Sequence, residues 1–538
     1  MVDYLGLAHE LKKALATYTE SDGKATPKRC KIHSCLDPIN ADLTNRELQR
    51  GLHEGTMLSL SLARIAAITD GLLVRGASEL QVQGVFTDTR APVRGGLFVA
   101  LSGCHFDGHE FLEEAYRGGA AAMLVSRASA LWPEQRRQGC GAVLVADTRE
   151  AYLRLASQQR ARLDALRWFA VTGSAGKSTV KEMLAWICSA GAGWQIHSAP
   201  KSFNNEIGVP ATILGATPEQ RAVVLEIGTN APGEIERLAR VARPQVAVIT
   251  NAGPVHLEAL GSVAGVAEEK SHLLDFQHAE DLAVLPADDP FLALWRARAK
   301  GRVLTFGIGA EADFRGEPLE GSLHGGPPSE HLSTRFRVCV AGQMEEIHLP
   351  VPGRHNILNA LAAGAAAWSQ GVRLDEIARG LRSFSGVSRR LEILERDGLA
   401  VIDDAYNASP LSFLAALDLV RSFAARGRRC FIVAGDMLEL GAESRRLHEE
   451  LGVALALAAP HALATVGPCM RGAGQAAVRA GFPAGAWLAC ATPEEAAERL
   501  RPGLRPGDVV LVKGSRSLQL ERCIAHLRVG SKAALAVG

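Results

Sequence analysis

The chain has 538 residues, too many for one ordinary hydrophobic core, and its length points to about three domains of ~150 residues each. It is 47% hydrophobic and 22% charged, as soluble globular proteins are, and its formal net charge of +1 supplies no field for gathering nucleic acid or an anionic membrane. No apolar run reaches the ~18 residues of a membrane span, and the N-terminus lacks the charged and apolar blocks of a secretory signal.

The 10 cysteines show no repeating spacing, which fits free thiols in a reducing cytoplasm. Cys30, His33 and Cys35 stand close together, but no second ligand pair follows at zinc spacing, so no zinc site is expected there.

In chain order, residues 1–56 are polar and mixed in charge, with one short helix predicted from Tyr4 to Tyr18. They read as a poorly ordered extension, or as sequence upstream of a start at Met57. From Met57 to about residue 150 the pattern is that of a small α/β domain. Strand-like runs at 96–101 and 121–125 flank a helical stretch at 109–118. An Arg-, Gln- and Ala-rich helix from Thr148 to Arg167 then serves as a connector.

The middle region repeats short apolar runs at 167–173, 222–228, 246–252 and 282–287, with helices between them. Continuous apolar runs of that length are expected for strands buried on both faces of a parallel sheet. Residues 310–345, with Gly-Gly-Pro-Pro at 325–328, read as an irregular excursion. The last region repeats the βα logic, with strands at 399–404, 429–435, 462–467 and 508–514. Its polar clusters Asp403–Ser409, Asp436–Glu439 and Lys513–Ser517 fall at strand ends, where open α/β sheets bind ligands.

The strongest chemical signal is Thr172-Gly173-Ser174-Ala175-Gly176-Lys177-Ser178-Thr179. It follows an apolar strand and opens a helix, so backbone N–H groups and the helix N-terminus can cradle phosphate. Lys177 is placed to bridge β- and γ-phosphates, and Ser178 to ligate Mg²⁺. The loop is shorter than the usual GxxxxGK[ST], since no glycine leads it. Glu226 ends the second strand and His256 follows the third, so a carboxylate and an imidazole are expected near that loop.

Asn204 and Asn205 offer carboxamides either to a substrate or to a helix N-terminus. Lys270, among acidic neighbours in AEEKSHLL, reads by itself as a surface ion pair. Gly353–Asn359 precedes an Ala-rich helix and either caps it or meets a base. Arg389 and Arg390 either supply charge to a triphosphate or lie paired on the surface.

In this order the segments TGSAGKST, NNEIGVP, LEIGTNAPGEI (225–235), GPVHLEALGS (253–262), Lys270 and GRHNILNALAA (353–363) resemble the Mur ligase family. FTDTR (86–90), GGLFVAL (95–101), FDGH (106–109), VIDDAYNASP (401–410), AGDMLELG (434–441) and VLVKGSRS (510–517) resemble its D-alanyl-D-alanine-adding branch. The resemblance covers about residues 57–520. Of these, VIDDAYNASP and AGDMLELG argue against other ligases with the same ATP machinery, such as another Mur ligase or a folylpolyglutamate synthase. Retention of Lys177, Glu226 and His256 argues against a regulatory P-loop protein without ligase activity.

The resemblance implies an α/β fold of three domains. A central P-loop-type parallel-sheet ATPase domain (161–386) is flanked by a small N-terminal α/β domain that binds a UDP-sugar (57–160). On its other side is a C-terminal Rossmann-like α/β domain (387–538). It implies ATP and Mg²⁺, a monomer, and the substrates UDP-N-acetylmuramoyl-tripeptide and D-alanyl-D-alanine, joined through an acyl phosphate.

By the same resemblance, Lys177, Lys270, Glu226 and His256 form the catalytic set, with Ser178, Glu226 and His256 on the metal. The loop 172–179 with His355, Asn356 and Arg390 meets ATP. Thr89, Arg90, Asp107, His109, Asn204, Asn205, Asp404, Asn407 and Ser409 meet the substrates. Lys270 matches a lysine that is carbamylated in relatives. Ala231 departs from the pattern, standing where relatives often have histidine.

Overall fold

The computed structural model describes residues 58–103, 106–127, 130, 139–309, 311–319 and 333–529. The helix predicted at Tyr4–Tyr18 and the Cys30, His33 and Cys35 group lie outside the described residues. The fold is α/β, with three main sheets on successive stretches of chain.

The first sheet has five strands in the order Leu72–Arg75, Gly141–Leu144, Ala122–Val125, Leu97–Val99, Val85–Phe86. Its first pair is antiparallel and the rest are parallel. The stretch predicted as one helix at 109–118 is a short 3₁₀ turn, Gly108–Phe111, leading into the helix Leu112–Arg117. Asp107 caps that turn by accepting from the His109 N–H.

The connector helix spans Thr148–Arg162, shorter than the predicted run to Arg167. Asp147 caps its start, accepting from the N–H groups of Arg149 and Glu150. Arg160 is only 5% exposed near its end. Its guanidinium donates to the carbonyls of Ala242 (2.9 Å) and Arg243 (2.9 Å) and lies over the Trp168 ring. A cation is thus spent on the carbonyl end of the helix Glu234–Ala242, where the peptide dipoles favour it.

The central sheet has nine strands. From one edge they run Ile196–Ser198, Ala222–Glu226, Arg167–Thr172, Val246–Ile249, Leu282–Pro286, Arg302–Gly307, Phe314–Pro318, Thr334–Val340, Gln343–Leu349. All are parallel up to Phe314–Pro318, and the last two form an antiparallel hairpin. Apolar clusters cover both faces, one centred on Trp168, Leu225 and Trp295 and the other on Phe169, Val224 and Phe336.

Within 310–345 the described residues form strands and not the irregular excursion that was expected, while the Gly-Gly-Pro-Pro at 325–328 lies outside the described residues. The strand Thr334–Val340 alternates buried positions with exposed or half-exposed ones, as a strand covered on one face does. Its turn at Ala341 (φ 47°) and Gly342 (φ 76°) places two left-handed residues in succession, which matches the twist of a tight hairpin. A search for continuous apolar runs passes over such a strand.

The third sheet runs Glu392–Arg396, Leu399–Asp404, Val509–Lys513, Cys430–Gly435, Ala462–Val466, Trp487–Cys490, parallel except for the first pair. The three units share cores. Leu62 and Val143 of the first pack in one cluster with Val209 and Ile213 of the second. Leu257 and Val266 of the second pack in one cluster with Phe413 and Leu440 of the third. Among the described residues no helix is long and apolar enough to cross a membrane.

Trp295 is fully buried and donates its indole N–H to the Ala267 carbonyl (3.0 Å), tying the helix Leu292–Arg298 to the helix Val263–Ser271. Trp295→Ala is expected to cost ~3–5 kcal/mol, whereas Trp295→Phe keeps most of the ring and loses ~1 kcal/mol with the hydrogen bond. Urea unfolding of the two variants measures the difference.

Candidate active site

The strands Ala222–Glu226 and Val246–Ile249 flank Arg167–Thr172 in parallel register, with Glu226 opposite Val171 and Ile249 opposite Thr172. Their carboxyl ends are level, so three loops leave the sheet at one height. The middle one is the glycine-rich loop, which runs straight into the helix Lys177–Trp186.

Gly173 has φ 151°, and a Cβ there would lie 1.8 Å from Thr250 Oγ1. Gly176 has φ 84°, and a Cβ there would lie 2.4 Å from Asn359 Oδ1. Only glycine fits either position. The loop is held by its neighbour: the Ala175 N–H donates to Asn251 Oδ1 (2.9 Å), and Thr250 Oγ1 and Asn251 Nδ2 donate to the Ala175 carbonyl (2.6 and 3.1 Å). Lys177 Nζ donates to the Gly173 carbonyl (2.7 Å), which folds the ammonium back over the loop. Burial lowers the Lys177 pKa to about 8, with Glu226 opposing the shift and Arg390 adding to it.

Ser178 and Glu226 are brought together: Ser178 Oγ donates to Glu226 Oε2 (2.7 Å). The other oxygen, Oε1, accepts from Asn204 Nδ2 (2.8 Å). A nearly fully buried carboxylate whose hydrogen bonds come only from neutral donors is a hard, anionic oxygen site. Those atoms fit Mg²⁺. Asn205 plays a different part, since its Oδ1 accepts from the N–H groups of Ile207 (3.1 Å) and Gly208 (2.9 Å) at the start of the helix Gly208–Leu214. One asparagine thus serves the carboxylate and the other caps a helix.

His256 adopts a left-handed backbone (φ 51°) and hydrogen-bonds through Nδ1 to Glu439 Oε2 of the third unit. The His256 bond holds the Glu439 carboxyl below its ordinary pKa.

Lys270 is not the surface ion pair that its acidic neighbours imply. It is 2% exposed. Glu269 does not pair with it, because that carboxylate accepts from the N–H groups of Gly233 (2.8 Å) and Ile235 (2.9 Å) at the head of the helix Glu234–Ala242. Burial first, and then the Lys177 charge, push the Lys270 amine well below the usual ammonium range.

Most of these parts line one cleft of about 4170 Å³, but Ser178 and Lys270 are not among its lining residues. The first unit contributes Thr89 and Arg90, and the second Ser174, Ala175, Gly176, Lys177, Thr179, Asn204, Asn205, Glu226, His256, His355 and Asn356. The third contributes Arg390, Asp404, Asn407 and Ser409.

Arg90 is held by a bidentate pair with Asp88, and Arg390 lies 4.5 Å over the Tyr406 ring. The two arginines predicted together separate: Arg389 instead pairs with Glu521 (2.9 Å). Asn356 Nδ2 donates to the Pro352 carbonyl (2.7 Å), and Asn359 Nδ2 donates to Asn356 Oδ1 (3.1 Å). Burial, and then the Lys513 charge, hold His355 neutral with a pKa of about 4.

Asp404 pairs with the buried Lys513 (2.7 Å), whose Nζ also donates to the Asn407 carbonyl (3.0 Å). Ser409 caps the helix Pro410–Ala424 in a reciprocal pair with Ser412.

Two expectations are corrected. Asp107 and His109 do not line the cleft. His109 is buried and its Nε2 accepts from the Ser126 N–H (3.0 Å), so Nδ1 carries the proton given to Asp107 (2.7 Å). Asp107 also accepts from Ser102 and Arg127, and these bonds outweigh burial and hold its pKa well below the carboxylate range. The pair braces the loop that carries Phe106 and Gly108 to the cleft wall.

Thr250 and Asn251 are site-shaping residues that motif reading passed over, while Asn359 and Lys513 lay within quoted motifs without a role. Asn251 and Lys513 stand at or just beyond strand ends, which is the one signal that pointed to them.

A second cluster, Asp436, His448 and Cys469, brings potential ligand atoms within 4.8 Å of one another. Its atoms are already committed to the main chain. His448 Nε2 accepts from the Met437 N–H (3.0 Å), Nδ1 donates to the Ser444 carbonyl (2.7 Å), and Asp436 accepts from the Met470 N–H (2.6 Å).

Gly176→Ala is expected to weaken ATP binding about tenfold or more, since ~1.4 kcal/mol of misfit suffices. Gly233→Ala makes a control: its φ is 82° but a Cβ there meets nothing within 4 Å. Calorimetric titration of both with ATP separates contact from backbone strain.

The Mur ligase middle domain matches residues 171–367, and the Mur ligase glutamate ligase domain matches residues 389–516. The UDP-N-acetylmuramoyl-tripeptide--D-alanyl-D-alanine ligase of Escherichia coli (strain K12) is 36% identical, over 88% of this chain and 99% of its own. The ligase of the same name from Bacillus subtilis (strain 168) is 33% identical over the same shares. The crystal structure of MurF from Acinetobacter baumannii superposes with a TM-score of 0.78 at 29% identity, over 88% of this chain and 99% of that one. MurF ligase from Thermotoga maritima in complex with ADP gives 0.70 at 28% identity, over 82% and 96%. The chain belongs to the Mur ligase family.

Proposed function

We propose that this protein is the ATP-dependent, ADP-forming ligase that joins D-alanyl-D-alanine to UDP-N-acetylmuramoyl-tripeptide in peptidoglycan precursor synthesis. The observation that carries this reading is the single cleft in which a phosphate loop, a polar surface of the first unit and a charged strand end of the third face one another. A ligase with a nucleotide, a carboxylate donor and an amine acceptor requires such a meeting. The named relatives supply the substrates. The domains are taken as 57–160, 161–386 and 387–538, with 1–56 unassigned, and the protein as a cytoplasmic monomer.

A carboxylate is a poor electrophile, so transfer of the ATP γ-phosphoryl group to the tripeptide carboxylate supplies a leaving group. The dipeptide amine then displaces phosphate. For this chain, the catalytic demand is positioning and charge neutralisation. The N–H groups of residues 176–178 and the Lys177 ammonium are assigned to the phosphates, while those of Ser174 and Ala175 hold the loop to Asn251. Ser178, Glu226 and His256 are assigned to Mg²⁺, which when bound neutralises charge on the phosphate oxygens. Asn204 orients Glu226. His355, Asn356 and Arg390 are assigned to the nucleotide, and Thr89 and Arg90 to the UDP-sugar. Asp404 and Asn407, backed by Lys513, are assigned to the incoming dipeptide.

Lys270 is assigned a carbamate. A buried amine whose basicity is lowered by burial and by the Lys177 charge is a better nucleophile for CO₂ than an exposed lysine; the addition releases one proton and leaves an anionic oxygen group that offsets the Lys177 charge.

The activity is tested by phosphate release from ATP and Mg²⁺ with UDP-N-acetylmuramoyl-tripeptide. The expected result is release that depends on D-alanyl-D-alanine, with the pentapeptide product seen by mass spectrometry. Turnover only with glutamate and a folate, or with another amino-acid acceptor, would move the substrate assignment elsewhere.

The carbamate is tested with ¹³C-bicarbonate. A carbamate resonance is expected in the wild type and not in Lys270→Ala, whose activity short-chain carboxylates should partly restore. A bare amine under saturating bicarbonate would count against it.

A further inference from the structure

The loop after the third central strand and the loop after Gly435 meet at two points. The His256 imidazole reaches the Glu439 carboxylate through Nδ1, and the Glu258 N–H donates to the Glu439 carbonyl (3.2 Å). Both His256 (φ 51°) and Glu439 (φ 64°) are held in the left-handed region, which non-glycine residues adopt only when their surroundings fix them. What fixes them is packing. Leu257 is buried in the core of the third unit, and a Cβ on Gly441 would lie 2.9 Å from Glu258 Cα. A carboxylate as exposed as that of Glu439, at 56%, ordinarily contributes little to an ion pair. Here both backbones are immobilised first, so little side-chain freedom is left to lose.

An ionised carboxylate only accepts, so Nδ1 is the donor and carries a hydrogen. Among the described residues Nε2 has no hydrogen-bond partner, and His256 lines the cleft. We propose that Glu439 is a positioning residue for His256. From the third unit it holds the ring in the Nδ1–H form, leaving the Nε2 lone pair free for the divalent ion assigned to Ser178 and Glu226. This rests on the metal reading of His256 given above. It adds that the metal site is completed only when the third unit is docked, because the residue that sets the ligand's tautomer belongs to that unit. Carboxylates behind metal-bound histidines commonly act in this way, orienting the ring and raising its basicity.

The test uses the full chain with a non-hydrolysable ATP analogue, and Mn²⁺ as the probe ion read by electron paramagnetic resonance. Glu439→Ala is expected to weaken Mn²⁺ binding by about 10–100-fold. Glu439→Gln, which keeps an acceptor oxygen, should recover most of that loss. In ¹⁵N-histidine-labelled protein without metal, the His256 resonances should report Nδ1–H in the wild type and in Glu439→Gln, and a tautomer mixture in Glu439→Ala. In a His256→Ala background, Glu439→Ala should have no further effect.

Wild-type Mn²⁺ affinity in Glu439→Ala, with affinity lost in His256→Ala, would overturn the inference alone. A Glu439→Ala loss that persists without His256 would overturn it too, since the residue would then act through the interface. Unchanged affinity in His256→Ala would remove the metal reading of that residue and the inference with it.

Discussion

The parallel pairing of Arg167–Thr172 between Ala222–Glu226 and Val246–Ile249 is the constraint on which the rest of the molecule depends. Because these strands are buried on both faces and in level register, they end together, and each hands its next residues to the same edge. Thr172 passes directly into Gly173, which has room only because it carries no side chain against Thr250. The second strand delivers Glu226, and the third delivers Thr250 and Asn251, whose side chains hold the loop. A one-residue slip in any pairing would reverse the faces of its side chains and separate Ser178 from Glu226.

From that edge outward the charges are arranged in opposition. Desolvation lowers the basicity of both Lys177 and the buried Lys270, and the Lys177 charge lowers that of Lys270 further. Glu226 supplies some compensation to Lys177, but Glu269 gives Lys270 little, because it is bound to the head of a helix. Two amines so placed favour anionic ligands, here a triphosphate and a carboxylate, at that one edge of the cleft. The global charge of +1 had already shown that any such attraction would be local.

The units on either side are fixed by packing rather than by ion pairs alone. Helices from the first unit share a core with Val209 and Ile213, and the third unit encloses Leu257 and Val266. The cleft is therefore a junction of three surfaces, and residues that read as ordinary structure within one unit gain meaning from another. Asn359, which touches the phosphate loop, lies on a helix whose sequence looks merely Ala-rich. Glu439, at a strand end in one unit, meets the histidine of another.

The sequence by itself determined the alternation of strands and helices, the position of the phosphate loop, and the placement of Glu226 and His256 after neighbouring strands. These follow from short-range regularities: continuous apolar runs, a glycine-rich turn, and chain order. The hairpin at 334–349 was missed because one-sided strands lack a continuous apolar run. Tertiary structure alone decided that Lys270 is buried rather than exposed. It also decided that Asp107 and His109 brace a loop instead of facing the cleft. In each case the chemistry of the side chain is open to several uses. The use is fixed by partners far away in sequence, whose positions only the packed units define.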